Sequence, residues 1–130
     1  MAPGDLLRKI SMWGPVVIYL ALIFYFSSLS HIAWAAAYPD YVEHGAEYGG
    51  LAILLARALN NGLRRPLPIR VLLLTLLLCV AYGASDEFHQ KFVPNRFADV
   101  TDVLSDSVGA AVGLTMLSIG RWIAGRGGAT

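Results

Sequence analysis

Apolar residues fall in four long runs along this chain, separated by short polar interruptions. The runs extend from about Trp13 to Leu29, Tyr41 to Leu59, Ile69 to Ala84 and Val100 to Ile123. They are continuous and rich in Leu and Ala, without the period-two alternation of a barrel strand, so each predicts a helix. A helix needs roughly 20 residues to cross a bilayer. The third run is short on that measure unless it continues through Ser85–Gln90, which would carry Asp86 and Glu87 on the helix. Breakers stand between the runs: Tyr38-Pro39-Asp40, then Asn60-Asn61-Gly62 with Pro66 and Pro68, then Pro94-Asn95. The expected fold is an all-α bundle of four transmembrane helices, a single domain over residues 1–130.

Composition agrees with that pattern. Of 130 residues, 56% are hydrophobic and 15% charged, with a mean hydropathy of +0.56. Soluble domains carry roughly 25% charged residues. The lone Cys79 lies within an apolar run, which excludes an intrachain disulfide and reads as a small buried hydrophobe.

The net charge of +1 says little about partners, but its distribution says more. With four spans, Arg8, Lys9, Arg57, Arg64, Arg65, Arg70, Arg121 and Arg126 share one side, and only Lys91 and Arg96 lie opposite. The positive-inside rule then places both termini and the second loop in the cytoplasm. Of nine acidic residues only Asp5 is inside, and His31, His44 and His89 fall at or near the outer boundary. The chemistry is expected to face outward. A signal peptide is the competing reading of the N-terminus, with Ala33-Trp34-Ala35 or Ala35-Ala36-Ala37 as cleavage sites. Trp13–Leu29 exceeds the usual core of about 7–15 residues, and cleavage after Ala37 leaves Pro39 beside the scissile bond, so an intact anchor is expected.

The polar residues cluster on helix faces. At about 100° per residue, Asp102 and Asp106 lie within about 40° of each other, and Gly109 and Gly113 extend the stripe. Asp99 reads as the N-cap of that helix, or as a further member of the stripe. Asp102 fits a solvated first turn, whereas Asp106 lies deep enough to approach hydrocarbon. The second helix repeats the design, with Glu43, His44, Glu47 and Tyr48 at its outer end and Gly45-x-x-x-Gly49 as a flat face. Small residues at this spacing allow close helix approach. On the third helix Glu87 and Gln90 share a face beside Gly83, and Asp86 and His89 share another beside Tyr82. Charges at a membrane-helix centre cost roughly 2.5–3.5 kcal/mol each on insertion scales, so these groups are expected to face the bundle or water. They define a polar pocket of His44, Glu47, Tyr48, Glu87, Gln90, Asp102 and Asp106, with Arg96 entering from the loop as the expected bidentate partner of a buried carboxylate.

At these residues the chain resembles the VanZ-like family of small bacterial membrane proteins. The resemblance rests on Ser27-Ser28, on His44 and Tyr48, and on Asp86-Glu87, Gln90, Pro94-x-Arg96, Asp102, Asp106, Gly109 and Gly113. It departs from the family pattern where Tyr41-Val42-Glu43 stand in place of a lysine ahead of the histidine. It departs again where Asp106 occupies a position often held by Asn. The family takes its name from a protein associated with teicoplanin resistance, so the resemblance implies a role in the cell envelope. It implies His44, Tyr48, Asp86, Glu87, Gln90, Arg96, Asp102 and Asp106 as binding residues.

Several functions fit. The first is a non-enzymatic protein whose partners are the bilayer and an envelope amphiphile or lipid-linked component; the acidic lining favours hydroxyls, amines or a metal ion over bare phosphate. The second is an intramembrane enzyme with Glu87 as general acid or base, assisted by His44 or Asp102. The chain lacks a Gly-x-Ser-x-Gly or His-Glu-x-x-His motif. A metal held by Glu87, Asp102 and His44 is chemically conceivable, although no metal or cofactor is assigned. The third is a purely structural polar network. An ion path is disfavoured because the cytoplasmic halves offer only Thr75 and Cys79. Nucleic-acid binding has no support, and the sequence leaves the oligomeric state open.

Overall fold

The computed structural model describes residues 3–29, 39–64 and 66–127. His31, the candidate cleavage sites around Trp34, and Arg65 lie outside the described residues, as does the side chain of Arg126. Four helices account for the architecture: α1 (Pro3–Ser27), α2 (Asp40–Leu59), α3 (Ile69–Gln90) and α4 (Val100–Gly127). No strand occurs among the described residues.

The helices outrun the apolar segments that announce them. α1 starts at Pro3 rather than near Trp13. Arg8 and Lys9 end the hydropathic run, but both are good helix formers, and Asp5 in the first turn suits the helix dipole. α3 continues to Gln90 and so gains the length to span, carrying Asp86 and Glu87 with it. α1, α3 and α4 are each long and apolar enough to cross a membrane. α2 has a comparable length but carries Asp40, Glu43, Glu47 and Arg57, and it survives in such company by packing against all three neighbours.

α2 is the core helix. Tyr48, Leu51, Ala52, Leu55 and Ala56 are buried at the i, i+3, i+4, i+7, i+8 spacing of one helical face. Val16 and Ile23 of α1, Cys79 of α3 and Ala110 and Leu114 of α4 close around that stripe. The outward faces carry Val17, Leu22, Leu73, Leu77, Val112 and Ile119, all exposed. So continuous an apolar exterior is stable against lipid tails rather than water.

Local chemistry sets the helix ends. Pro15 inside α1 deprives the Ser11 carbonyl of its helical donor, and Arg57 Nη1 donates to that oxygen at 3.2 Å. α2 closes in a Schellman arrangement, with the Gly62 N–H donating to the Arg57 carbonyl at 2.8 Å and the Asn61 N–H to that of Ala58 at 3.0 Å. Asn61 takes φ 53° there. After α3, Val93-Pro94-Asn95-Arg96 forms a type II turn: Pro94 stands at the second position, Asn95 has φ 62°, and the Arg96 N–H donates to the Val93 carbonyl at 3.2 Å.

Successive helices run in opposite directions. The C-terminal ends of α1 and α3 therefore meet the N-terminal ends of α2 and α4, as the contacts Ser28–His89, His44–Asp106 and Glu87–Asp99 record. Nearly all the acidic residues gather at this end. The Arg57–Ser11 contact marks the other.

Candidate functional site

The bundle approaches closest where α2 meets α4. A Cβ on Gly109 would overlap the carbonyl oxygen of Gly45, and one on Gly113 would lie 2.5 Å from that of Gly49. The two Gly-x-x-x-Gly faces thus pack on each other. This close approach brings His44 against the first turns of α4. His44 Nδ1 lies 2.9 Å from Asp106 Oδ1, and His44 Nε2 lies 3.8 Å from Asp102 Oδ2. The short contact ties Nδ1 to Asp106 and turns Nε2 toward Asp102. Asp106 is 1% exposed and occupies space that Gly83 of α3 leaves open: a Cβ there would lie 2.7 Å from Asp106 Oδ2. Tyr48, 1% exposed, fills the same layer.

α3 supplies the next wall. Asp86, Glu87 and Gln90 are all buried, so Asp86 faces inward with Glu87, while His89 one turn on is half-buried. Glu87 Oε2 accepts the Asp99 N–H at 2.9 Å. Asp99 in turn caps α4, its Oδ1 accepting the Thr101 N–H at 2.8 Å. That hydrogen bond holds the exposed Asp99 carboxyl below its ordinary range. His89 turns toward α1 instead. Ser28 Oγ donates to the Phe24 carbonyl at 2.6 Å and so accepts from His89 Nε2 at 3.1 Å, with the Phe24 and His89 rings 4.5 Å apart.

Arg96 departs from expectation. Its Nε donates to the Leu29 carbonyl at 3.1 Å, and among the described residues it forms no ion pair with a carboxylate. A helix C-terminus leaves carbonyls without donors, and the guanidinium satisfies one just past the end of α1. The loop between α3 and α4 is thereby tied across the bundle.

These elements enclose a cavity of about 800 Å³. His44, Glu47, Asp86, Gln90, Arg96 and Asp102 line it, together with Ser27, Asp40, Glu43, Asn95, Phe97, Asp99, Thr101 and Ser105, which sequence reasoning did not assign to the pocket. Tyr48, Glu87 and Asp106 are buried behind that wall. Ser27 was legible as an inward residue, because it continues the buried spacing of Val16 and Ile23 on α1. A second, apolar groove of about 650 Å³ runs along the α2–α4 seam past Val42, Ile53, Leu104, Val108 and Met116, and it shares Tyr41 and Ser105 with the polar cavity. Four side-chain oxygens near the cavity are buried without a hydrogen-bond partner: Ser27 Oγ, Tyr48 OH, Asp86 Oδ1 and Glu87 Oε1. A buried polar oxygen left unpaired costs about 1–3 kcal/mol, so each of these atoms calls for a partner from within the cavity or its walls.

An antiparallel helical bundle with lipid-compatible faces and a polar cavity at one end defines a multi-pass membrane protein. A match to the VanZ/LLP1 family spans residues 3–121, nearly the whole chain, and the protein belongs to that family. No curated protein and no solved structure matches it.

Proposed function

We propose that this VanZ/LLP1 protein binds an envelope amphiphile, with the head group in the polar cavity and an acyl or prenyl chain along the α2–α4 groove. The observation that carries this reading is the adjacency of the two spaces. A cavity lined by His44, Glu47, Asp86, Gln90, Arg96 and Asp102 lies beside an apolar groove, with Tyr41 and Ser105 bordering both. Acidic side chains outnumber Arg96 and His44 in the lining, which favours a head group rich in hydroxyls or amines. The basic residues at the opposite end support, by the positive-inside rule, a cavity on the extracytoplasmic face of the inner membrane. A protein holding an envelope component there contributes to envelope integrity and to tolerance of teicoplanin-type glycopeptides.

Native mass spectrometry of the full chain released from membranes tests this. A lipid or lipid-linked adduct should accompany the wild type and fall at least several-fold in Asp86→Asn and in Val108→Trp, which blocks the groove. Equal adduct occupancy in all three proteins would sink the reading.

A second reading, acid–base catalysis on a lipid-linked precursor, is favoured by one observation. Donor atoms of His44, Glu87 and Asp102 lie within 4.8 Å of one another. His44 and Asp102 line the cavity and Glu87 is buried directly behind them, so this cluster is suited to trade a proton with a bound hydroxyl. Turnover of the co-purifying amphiphile that disappears in Glu87→Gln while binding persists distinguishes catalysis from simple binding.

A further inference from the structure

We propose that His44, Glu87 and Asp102 form a binding site for a divalent transition-metal cation, with Asp106 as the residue that positions His44. The inference stands apart from the amphiphile reading and does not depend on it.

Its first support is the placement of the imidazole. Asp106 Oδ1 engages His44 Nδ1 at 2.9 Å, which leaves Nε2 as the nitrogen that faces Asp102 and the cavity. Metal-ligating histidines are held in this way, with the distal nitrogen donating to a carboxylate that fixes tautomer and ring plane. The carboxylate here is 1% exposed and stands in the space left by Gly83, so its position is set by packing.

The second support is convergence. His44 Nε2 faces Asp102 Oδ2 at 3.8 Å, and a Glu87 carboxylate oxygen completes a trio within 4.8 Å. Donors around a tetrahedral first-row ion, with bonds of about 2.0–2.2 Å, stand about 3.3–3.6 Å apart. Closing the trio around an ion therefore needs side-chain shifts on the order of 1 Å.

The third support comes from Glu87 itself. It is 6% exposed, Oε2 is held by the Asp99 N–H, and Oε1 is buried with no partner. A cation at the trio supplies what this carboxylate lacks. Charge balance points the same way, because Asp86, Glu87, Asp102 and Asp106 crowd one end of the bundle, where Arg96, its Nε donating to the Leu29 carbonyl, is a single guanidinium against four carboxyl groups. One imidazole and two carboxylates suit Zn²⁺ or Mn²⁺ over Mg²⁺. His44 and Asp102 also line the cavity, so vacant coordination positions open onto it.

The full chain, purified in detergent and stripped with chelator, is titrated with Zn²⁺ and with Co²⁺ as a spectroscopic substitute. One equivalent should bind, with Co²⁺ giving d–d absorption, while Mg²⁺ at the same concentration does not compete. Glu87→Gln keeps an acceptor for the Asp99 N–H yet should weaken binding at least tenfold, as should Asp102→Asn. Asp106→Asn should weaken it roughly 10–100-fold and shift the Co²⁺ spectrum, which a purely structural residue would not do. His89→Ala, whose ring is committed to Ser28, should bind as the wild type does. No saturable binding by the folded wild type overturns the proposal, and so does binding that survives both Glu87→Gln and Asp102→Asn or is lost in His89→Ala.

Discussion

Gly109 of α4 rests so closely on Gly45 of α2 that a methyl group on Gly109 would overlap the Gly45 carbonyl oxygen. The contact is between backbones, and no side-chain rotation relieves it. Everything at the acidic end depends on this approach, since it sets how near His44 of α2 comes to Asp102 and Asp106 of α4.

The glycines of the seam should therefore behave unequally. Gly109→Ala is expected to destabilise by about 1–3 kcal/mol, in the range of core overpacking. Gly113→Ala should follow, because its Cβ meets the Gly49 oxygen at 2.5 Å. Gly45→Ala finds its nearest neighbour at 3.8 Å and Gly120→Ala finds none within 4 Å, so both should stay within about 0.5 kcal/mol of wild type. Thermal unfolding in detergent ranks the four; equal losses at Gly109 and Gly120 would refute the packing.

Gly83 has a different task, leaving room for the Asp106 carboxylate. The new methyl in Gly83→Ala lies 2.7 Å from Asp106 Oδ2 and 3.4 Å from the Tyr48 ring. Asp106 must move, and His44 Nδ1–H loses its acceptor. A cost of about 1–3 kcal/mol is expected for the unsatisfied group. Gly83→Ala and Asp106→Asn should be non-additive by at least about 0.5 kcal/mol, because they break the same contact. Nitrogen-15 spectra of His44 should show its Nδ1 resonance shifting in either variant, as the contact with Asp106 Oδ1 is lost.

Much of this was legible in the sequence, and the reasons differ by residue. Helix existence followed from the apolar runs, and the stops followed from Asn60-Asn61-Gly62 and Pro94-Asn95, whose backbone preferences are local. Asp99 declared itself as a cap because capping is also local. The inward face of Asp106 followed from the depth at which it sits on its helix. Partners across the bundle were less legible. Arg96 was assigned to a carboxylate by charge, but its guanidinium satisfies the Leu29 carbonyl, a backbone group that no side-chain pattern advertises. His89 was placed with Asp86 by helical spacing, yet ring contact with Phe24 and the Ser28 hydroxyl draw it toward α1. Spacing along one helix gives a face; the neighbour that face meets is decided by how four helices pack.

The Asp99 cap offers a pH test outside the membrane. Its folded carboxyl titrates below the ordinary value of 3.8 because the ionised form accepts the Thr101 N–H. A depressed folded value means the cap contributes fully above 3.8 and is lost as pH falls through the lower folded value. Amide exchange at Thr101, corrected for intrinsic rates, should accelerate across that acid window in the wild type. Asp99→Asn keeps an acceptor without titrating, so its Thr101 protection should be flat over the same range.

Orientation yields to labelling, because Cys79 is 0% exposed and should be silent to a membrane-impermeant thiol reagent. Lys91 and Arg64 are both exposed and lie at opposite ends of the bundle, the first beside the acidic cluster and the second after the Asn60-Asn61-Gly62 stop. If the basic end is cytoplasmic, Lys91→Cys should react in intact cells. Arg64→Cys should react only after the membrane is opened, and Arg57 and Arg70 still hold the topology in that variant. The opposite labelling pattern would place the polar cavity in the cytoplasm. It would also remove an extracytoplasmic amphiphile as its ligand, while leaving the His44–Asp106 geometry untouched.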